Sequence, residues 1–198
     1  EKATINNRVG DISFAIQDGS FFKNGVLLKA VSKANIAGSG LHFVGLYSSG
    51  SVHSYAEHLY ALLELALKNN VAQVFLHLFT DGRDALQTGA ANFILELEKK
   101  ISEKYKNAEI ASIVGRDFAM DRDGHWDKIE NTYLLLTCGH GDKFSVASEY
   151  IKECYKKNIS DEFIPPAVLV DENGALQGTI KNGDAVVFFN FREDSMRE

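Results

Sequence analysis

The chain has 198 residues, of which 45% are hydrophobic and 24% are charged, as is usual for a globular protein with one substantial core. Its formal net charge of −6 argues against an extended basic face, so nucleic acid is not an expected partner. The longest apolar runs are far shorter than the ~20 residues that span a bilayer, and no basic-then-apolar leader opens the chain. We therefore expect a cytoplasmic protein without a membrane anchor, with residues 1–198 in a single domain.

Apolar periodicity and turn residues predict alternating helices and strands along most of the chain. Residues 1–8 show no strong pattern and are expected to be a trimmed end or a linker. The predicted elements are a short helix with a turn in 11–22, a helix over 24–37, a strand over 41–47, a helix over 55–68, a strand over 71–79, a helix over 88–105, a strand over 109–114, helices over 126–137 and 143–157, and strands over 167–170 and 184–191.

This alternation predicts an α/β fold with a mixed, largely parallel sheet that can be strongly curved and is flanked by helices. Ligands of such sheets bind beyond the carboxyl ends of the strands, where we expect the site. The two cysteines, Cys138 and Cys154, lack Cys-x-x-Cys spacing and are expected to be reduced packing residues.

The sharpest change in composition occurs where the apolar run 74–79 meets Thr80, Asp81, Gly82, Arg83 and Asp84. Arg83 is predicted to bind an anion, and Asp84 is a candidate general base for a substrate hydroxyl, although neighbouring cations lower a carboxyl's pKa and its basicity. The alternative role of Asp84 is to orient Arg83. Asp81 is predicted to cap the turn or the following helix through its side-chain oxygens.

Four arginines follow strand-like runs: Arg83, Arg116, Arg122 and Arg192. His53 follows the first strand and precedes a helix, where it could contact a phosphate or be purely structural. If these side chains converge, they form a pocket for a small polyanion that bears a hydroxyl, because guanidinium groups bind carboxylate and phosphate in bidentate fashion. The alternative is that each arginine pairs with an acid of its own loop, an interaction that contributes only ~0–1 kcal/mol. Recurrence at successive strand ends favours a site.

The sequence gives little support for a metal site or for a nucleotide-binding phosphate loop. His53 and His58 are spaced to face different sides of a helix, and His42 and His77 lie within strands. No Walker-type phosphate loop occurs. We expect no metal ligands and no cofactor in this chain.

The combination of motifs resembles the cofactor-independent phosphoglycerate mutases, and within them the substrate-binding (phosphotransferase) domain inserted into an alkaline-phosphatase-like domain. The resemblance runs over 10–192. It rests on Asp81-Gly82-Arg83-Asp84, on Gly115-Arg116 with Met120-Asp121-Arg122-Asp123, and on Phe188-Phe189-Asn190-Phe191-Arg192, with support from 18–22 and 161–163. It implies substrate-binding roles for His53, Arg83, Asp84, Arg116, Arg122 and Arg192, with Asp84 transferring protons to and from the glycerate hydroxyls.

This resemblance implies an isomerase of glycolysis and gluconeogenesis that interconverts 3-phosphoglycerate and 2-phosphoglycerate through a phosphoserine. The serine and two divalent metals, typically manganese, are expected on a phosphatase-like domain that this chain lacks. The expected partners are therefore phosphoglycerate and that missing domain, and we expect no mutase turnover from this chain alone.

Two departures from the family pattern leave alternatives open. Ser49 and Ser51 replace an aspartate and a glycine before His53, and Ser195 replaces a second phosphate-binding arginine, for which Arg197 is a candidate substitute. The alternative function is a drifted anion-binding module without mutase activity. A third reading is a self-sufficient metal-dependent hydrolase.

Overall fold

The carboxyl ends of several parallel strands meet at one edge of a six-stranded sheet, in a computed structural model that describes residues 8–36 and 38–196. The strands are β1 Leu41–Leu46, β2 Val74–Thr80, β3 Ala108–Gly115, β4 Asp142–Phe144, β5 Ala167–Leu169 and β6 Ala185–Phe188. Their order is β4-β5-β3-β2-β1-β6. Strands β6, β1, β2 and β3 are mutually parallel, whereas β5 runs antiparallel to β3 and parallel to β4. The predicted α/β fold with a mixed, largely parallel sheet is confirmed.

Helices cover both faces of this sheet. They are α1 Arg8–Asp18, α2 Gly25–Ala34, α3 Ala56–Lys68, α4 Ala90–Glu103, α5 Arg116–Ala119, α6 Trp126–Cys138 and α7 Ala147–Lys156, with short 3-10 turns at Phe21–Lys23, Asp161–Phe163 and Glu193–Met196. The Asn24 side chain accepts the backbone N–H groups of Val26 and Leu27 and so starts α2, and Gly139 ends α6 at φ +66°. None of the described helices is long and apolar enough to cross a bilayer.

Two hydrophobic clusters occupy the two faces of the sheet. Leu41 and Phe43 of β1 pack in the larger cluster with residues of α2, α3, α4 and α7. Val44 and Leu46 of the same strand belong to the smaller cluster, which includes residues of α6. Because both faces of the sheet are covered, a central strand is apolar at almost every position. Its sequence therefore lacks the alternation of apolar and polar residues that marks a half-exposed strand.

Several predicted boundaries were wrong. Helix α1 begins at Arg8, a residue assigned to the linker, and residues 1–7 lie outside the described part. The helix predicted over 143–157 starts only at Ala147, because Asp142–Phe144 pairs with β5 as a strand. Strand β6 is shorter than predicted. Cys154 is buried as expected, but Cys138 is exposed at the end of α6 and is not a packing residue.

The 3-10 turn Asp161–Phe163 packs tightly against the carboxyl ends of β2 and β3. Gly82 has φ +68°, and a Cβ added there would lie 2.6 Å from the backbone nitrogen of Glu162. A Cβ at Gly115 would collide with the Glu162 carbonyl. Both motifs therefore need glycine at these positions, where no side chain fits.

Candidate functional site

Arg116 links three strand ends. It begins α5 directly after β3, and only 5% of its side chain is exposed. Its Nη1 donates to Asp81 Oδ1 and to Asp84 Oδ2, both at 2.7 Å, and its Nη2 donates to His53 Nε2 at 3.0 Å. Burial lowers the pKa of the guanidinium, but the two carboxylates outweigh burial and raise it. The loops after β1, β2 and β3 are thus held together by one permanent cation.

Asp81 anchors the turn after β2. Its carboxylate accepts the Ser48 hydroxyl at 2.5 Å and the backbone N–H groups of Arg83 and Asp84 at 3.2 and 2.9 Å. Burial raises the pKa of this carboxyl, but the hydrogen bonds from Ser48, the Asp84 N–H and Arg116 outweigh burial and lower it. The predicted capping role is confirmed, and the bond to Arg116 is an addition that the sequence did not suggest.

His53 is 2% exposed. Because a guanidinium only donates, His53 Nε2 accepts from Arg116, which places the imidazole proton on Nδ1. Burial, reinforced by the nearby charges of Arg116 and Arg192, lowers the pKa of His53. Nδ1 is buried and has no hydrogen-bond partner among the described residues. An unsatisfied buried donor of this kind calls for a partner such as a ligand oxygen or a water molecule.

Asp84 is the more accessible of the two carboxylates on Arg116. Its side chain is 25% exposed, against 3% for Asp81, and its Oδ2 lies 3.5 Å from His53 Nε2. The structure therefore brings His53, Asp84 and Arg116 into direct contact.

Arg122 and Arg192 meet at a shared carboxylate. Asp194 Oδ2 lies 2.6 Å from Arg122 Nη1, and Asp194 Oδ1 lies 2.8 Å from Arg192 Nε. The carbonyl of His53 accepts the Arg192 N–H at 3.4 Å, so the last motif lies beside the loop after β1.

Arg83 is largely exposed and pairs with Glu162 at 3.1 Å instead of contacting Asp84. The suggestion that Asp84 orients Arg83 is therefore wrong. Arg83, Arg116 and Arg122 line one cleft of about 80 Å³. Its other lining residues are Asp117, Met120, Asp121, Asp123 and Glu162.

Asp121 lines this cleft and holds one of its loops in place. Its carboxylate accepts the N–H groups of Asp123 and His125 at 3.1 and 2.9 Å and the His125 ring at 2.8 Å. Burial raises the pKa of Asp121, but these hydrogen bonds outweigh it and lower the pKa to about 2. Asp121 thereby fixes the loop that carries Arg122.

The alternative of local ion pairing holds only for Arg192, which pairs with its neighbour Asp194. Arg116 and Arg122 pair with acids from other strand ends, and Arg83 pairs with Glu162 of the crossing 3-10 turn. Sequence reasoning missed Ser48 and Glu162 as participants, and it did not foresee that Asp194 pairs with Arg122 as well as with Arg192.

Larger cavities lie elsewhere. One of about 610 Å³ lies between α1, α2 and the end of β6 and has a mainly apolar lining. Another of about 290 Å³ adjoins Ser48, Asp81 and Asp161. Neither contains any of the arginines. Within the described residues, no group of three or more His, Cys, Asp or Glu side chains is placed to hold a metal ion.

The family model and the curated proteins that match this chain all point to the same family. Residues 12–198 match the family model described as BPG-independent PGAM N-terminus (iPGM_N). Proteins named 2,3-bisphosphoglycerate-independent phosphoglycerate mutase are similar over 187 residues, or 94% of this chain, with 45% identity in Moorella thermoacetica, 44% in Clostridium perfringens and 46% in Clostridium beijerinckii. The chain spans about 36% of the length of these curated relatives.

A solved structure gives the same picture. The crystal structure of Leishmania mexicana phosphoglycerate mutase at low cobalt concentration matches 91% of this chain and 34% of its own, with a TM-score of 0.87 and 33% identity.

Proposed function

Because this chain belongs to the BPG-independent PGAM N-terminus family, we propose that it is the substrate-binding domain of an isomerase that interconverts 3-phosphoglycerate and 2-phosphoglycerate. The observation that carries this proposal is the contact of Arg116 with His53, Asp81 and Asp84 where β1, β2 and β3 end. The cleft beside it is lined by Arg83, Arg116 and Arg122, whose guanidinium groups can donate to an anion, together with four carboxylates.

Anion binding is the role of the arginines. The planar guanidinium groups of Arg83, Arg122 and Arg192 offer paired N–H donors that fit the carboxylate and phosphate oxygens of phosphoglycerate. Arg116 is buried and already bonded to three side chains, so it supplies a fixed positive charge and orients His53 and Asp84. The unpartnered Nδ1–H of His53 donates to a substrate oxygen.

Proton transfer is assigned to Asp84. Its carboxylate is partly exposed beside the cleft, whereas Asp81 is enclosed by four donors. Asp84 accepts the proton of the glycerate hydroxyl that takes up the phosphoryl group and returns a proton to the hydroxyl that has lost it.

The phosphoryl-transfer machinery is proposed to lie outside this chain, on a phosphatase-like domain of the same polypeptide that carries a serine nucleophile. Two divalent metals, manganese in this proposal, would stabilise the charge of the transferring phosphoryl group there. The present chain holds the glycerate in place while the phosphoryl group is on the serine. It has no mutase turnover by itself.

The second candidate, an anion-binding module without mutase activity, is favoured by Ser195. Its hydroxyl donates to the Arg192 carbonyl at 2.7 Å, and it brings no charge to a position where the family has an arginine. Arg197, the proposed substitute, lies outside the described residues.

Titration calorimetry of this chain with 3-phosphoglycerate tests the proposal. We expect saturable binding that weakens at least about tenfold in Arg122→Ala, because a charge-assisted hydrogen bond contributes about 1.5–3 kcal/mol. Arg122 is exposed, so its loss leaves the fold intact. Lys99→Ala, which removes an exposed positive charge from α4, is the matched control and should bind like the wild type.

Failure of the wild-type chain to bind, or equal binding by Arg122→Ala, contradicts the proposed site. Turnover of the complete enzyme then separates the two candidates, because the anion-binding module binds without isomerising. Phosphatase activity of this chain that a chelator abolishes would favour the hydrolase instead.

A further inference from the structure

The arginines of the site are neutralised from within the chain. Arg116 faces Asp81 and Asp84, and Arg83 faces Glu162. Arg122 and Arg192 differ from these two, because a single carboxylate, that of Asp194, serves both. An incoming anion therefore meets guanidinium groups that already have a partner.

The contact with Arg192 is imperfect. Asp194 Oδ2 accepts a hydrogen bond from Arg122 Nη1 at 2.6 Å. Asp194 Oδ1 lies 2.8 Å from Arg192 Nε, yet this oxygen is buried and has no partner with hydrogen-bond geometry among the described residues. A desolvated carboxylate oxygen without a proper donor is costly, so this half of the bridge is easily given up.

The turn that carries Asp194 does not depend on these ion pairs. The N–H and the hydroxyl of Ser195 both donate to the Arg192 carbonyl, at 3.2 and 2.7 Å, and close the turn Glu193–Met196. The Asp194 side chain is 32% exposed and those of Arg122 and Arg192 are 41% and 46% exposed, so a ligand and water can reach the bridge. The carboxylate can leave while the turn stays.

We propose that Asp194 is an internal stand-in for the substrate anion. Its carboxylate occupies Arg122 and Arg192 while the site is empty, and the carboxylate or phosphate of the substrate displaces it. This inference rests on the proposed function. Asp194 keeps two like charges close together before binding, and the exchange lowers the apparent affinity for any anion, since only the released form binds. Anions that engage both arginines are favoured over those that engage one.

Asp194→Asn tests the displacement because it keeps the shape of the side chain and removes its charge. Calorimetry with 3-phosphoglycerate, and separately with inorganic phosphate, should show binding about three- to tenfold tighter than in the wild type, the range expected when partly exposed ion pairs no longer compete. The matched control is Glu193→Gln. It removes the same charge from the same turn, but its carboxylate pairs with Arg8 and not with the site arginines, so its affinity should stay within about twofold of the wild type.

A nuclear magnetic resonance measurement reports on the bridge directly. In the wild type, saturating phosphate replaces one anion beside Arg192 Nε–H by another, whereas in Asp194→Asn it supplies the first, so the Arg192 Nε–H resonance should move more in Asp194→Asn than in the wild type. Equal shifts in both proteins overturn the proposal.

The outcomes separate the two claims. If the wild type and Asp194→Asn bind with the same affinity, or if Asp194→Asn binds more weakly, the displacement is wrong and the proposed function stands. If neither protein binds 3-phosphoglycerate or phosphate, both are wrong. If Glu193→Gln gains as much affinity as Asp194→Asn, net charge is the cause and the displacement is again overturned.

Discussion

Asp81 and Asp84 contact the same nitrogen of Arg116 at the same distance, yet their surroundings assign them different work. Asp81 is buried and accepts from Ser48 and from two backbone N–H groups as well. Asp84 is partly exposed beside the arginine cleft. One carboxylate therefore maintains the turn, and the other is accessible to a substrate hydroxyl.

Replacing each by asparagine should separate these roles. In the complete enzyme, Asp84→Asn should lower kcat by about 10²–10⁴-fold, the usual contribution of a general acid–base, while this chain's free energy of unfolding falls by less than about 1 kcal/mol. Asp81→Asn should lower the free energy of unfolding by about 2–4 kcal/mol, because it breaks a buried ion pair. Turnover assays and urea unfolding measure both.

Full turnover of Asp84→Asn would remove this residue from the proposed proton transfer. Equal losses of stability in the two variants would contradict the division of labour.

The side chains around Arg116 could be identified from the sequence, but their partners could not. His53, Asp84 and Arg116 were predicted because each follows a strand, and parallel strands bring their ends together. Glu162 was missed because it lies in a 3-10 turn whose packing across Gly82 and Gly115 depends on tertiary structure. The distant pairing of Arg122 with Asp194 has no local signal either.

Among the helices, α4 is capped by a residue from a distant turn. Its N-cap, Gly89, has no side chain. Asp161 Oδ2 accepts the N–H groups of Gly89 and Ala90, both at 2.9 Å, and the Tyr155 hydroxyl donates to Asp161 Oδ1. The Asp161 carbonyl also accepts the Thr80 hydroxyl at 2.6 Å. This turn thus joins α4 and α7 to the end of β2.

Asp161→Ala should lower the free energy of unfolding by about 2–4 kcal/mol, because it leaves the buried N–H of Ala90, the half-buried N–H of Gly89 and the Tyr155 hydroxyl without an acceptor. Asp171→Ala is the control. Asp171 also accepts two N–H groups at 2.9 Å, but in an exposed turn, so its loss should cost less than about 1 kcal/mol. Equal losses in urea unfolding would show that burial of the cap is unimportant.

Long amphipathic elements were predictable, whereas short ones were not. Phe93, Ile94, Leu97 and Ile101 form an apolar stripe at helical spacing, and the helix predicted over 88–105 matches α4 to within a few residues. Strand β4 has only three residues, too few to show a period, and its pairing with β5 decides its conformation. The start of α4 had no local capping signal because its cap comes from Asp161.

Across the whole molecule, a buried polar chain crosses four neighbouring segments of the sheet. Asp184 lies 3.1 Å from His42, His42 lies 2.9 Å from His77, and His77 lies 2.8 Å from the Ser112 hydroxyl. Burial, with the neighbouring His42, lowers the pKa of His77 to about 3. The folded protein therefore keeps His77 neutral where the unfolded chain protonates it.

As a result, the free energy of unfolding should decrease as the pH is lowered. The unfolded chain takes up a proton near pH 6.5, whereas folded His77 does so only near pH 3, so unfolding is favoured progressively between these values. Between about pH 6.5 and about pH 5, His77 should account for a loss of about 2 kcal/mol in the free energy of unfolding. Urea unfolding across this range should show a shallower slope for His77→Gln. The exposed His140→Gln should keep the wild-type slope, and an unchanged slope in His77→Gln would contradict the assignment.

The position of Arg116 also has an evolutionary consequence. The Arg116 guanidinium is bonded to His53, Asp81 and Asp84. The effects of substitutions at these positions therefore depend on one another, since free-energy changes at contacting residues are not additive. Loss of any one leaves the others with an unmatched charge or donor. Lineages that change one of these four residues should therefore change another with it, and the four should be inherited as a set.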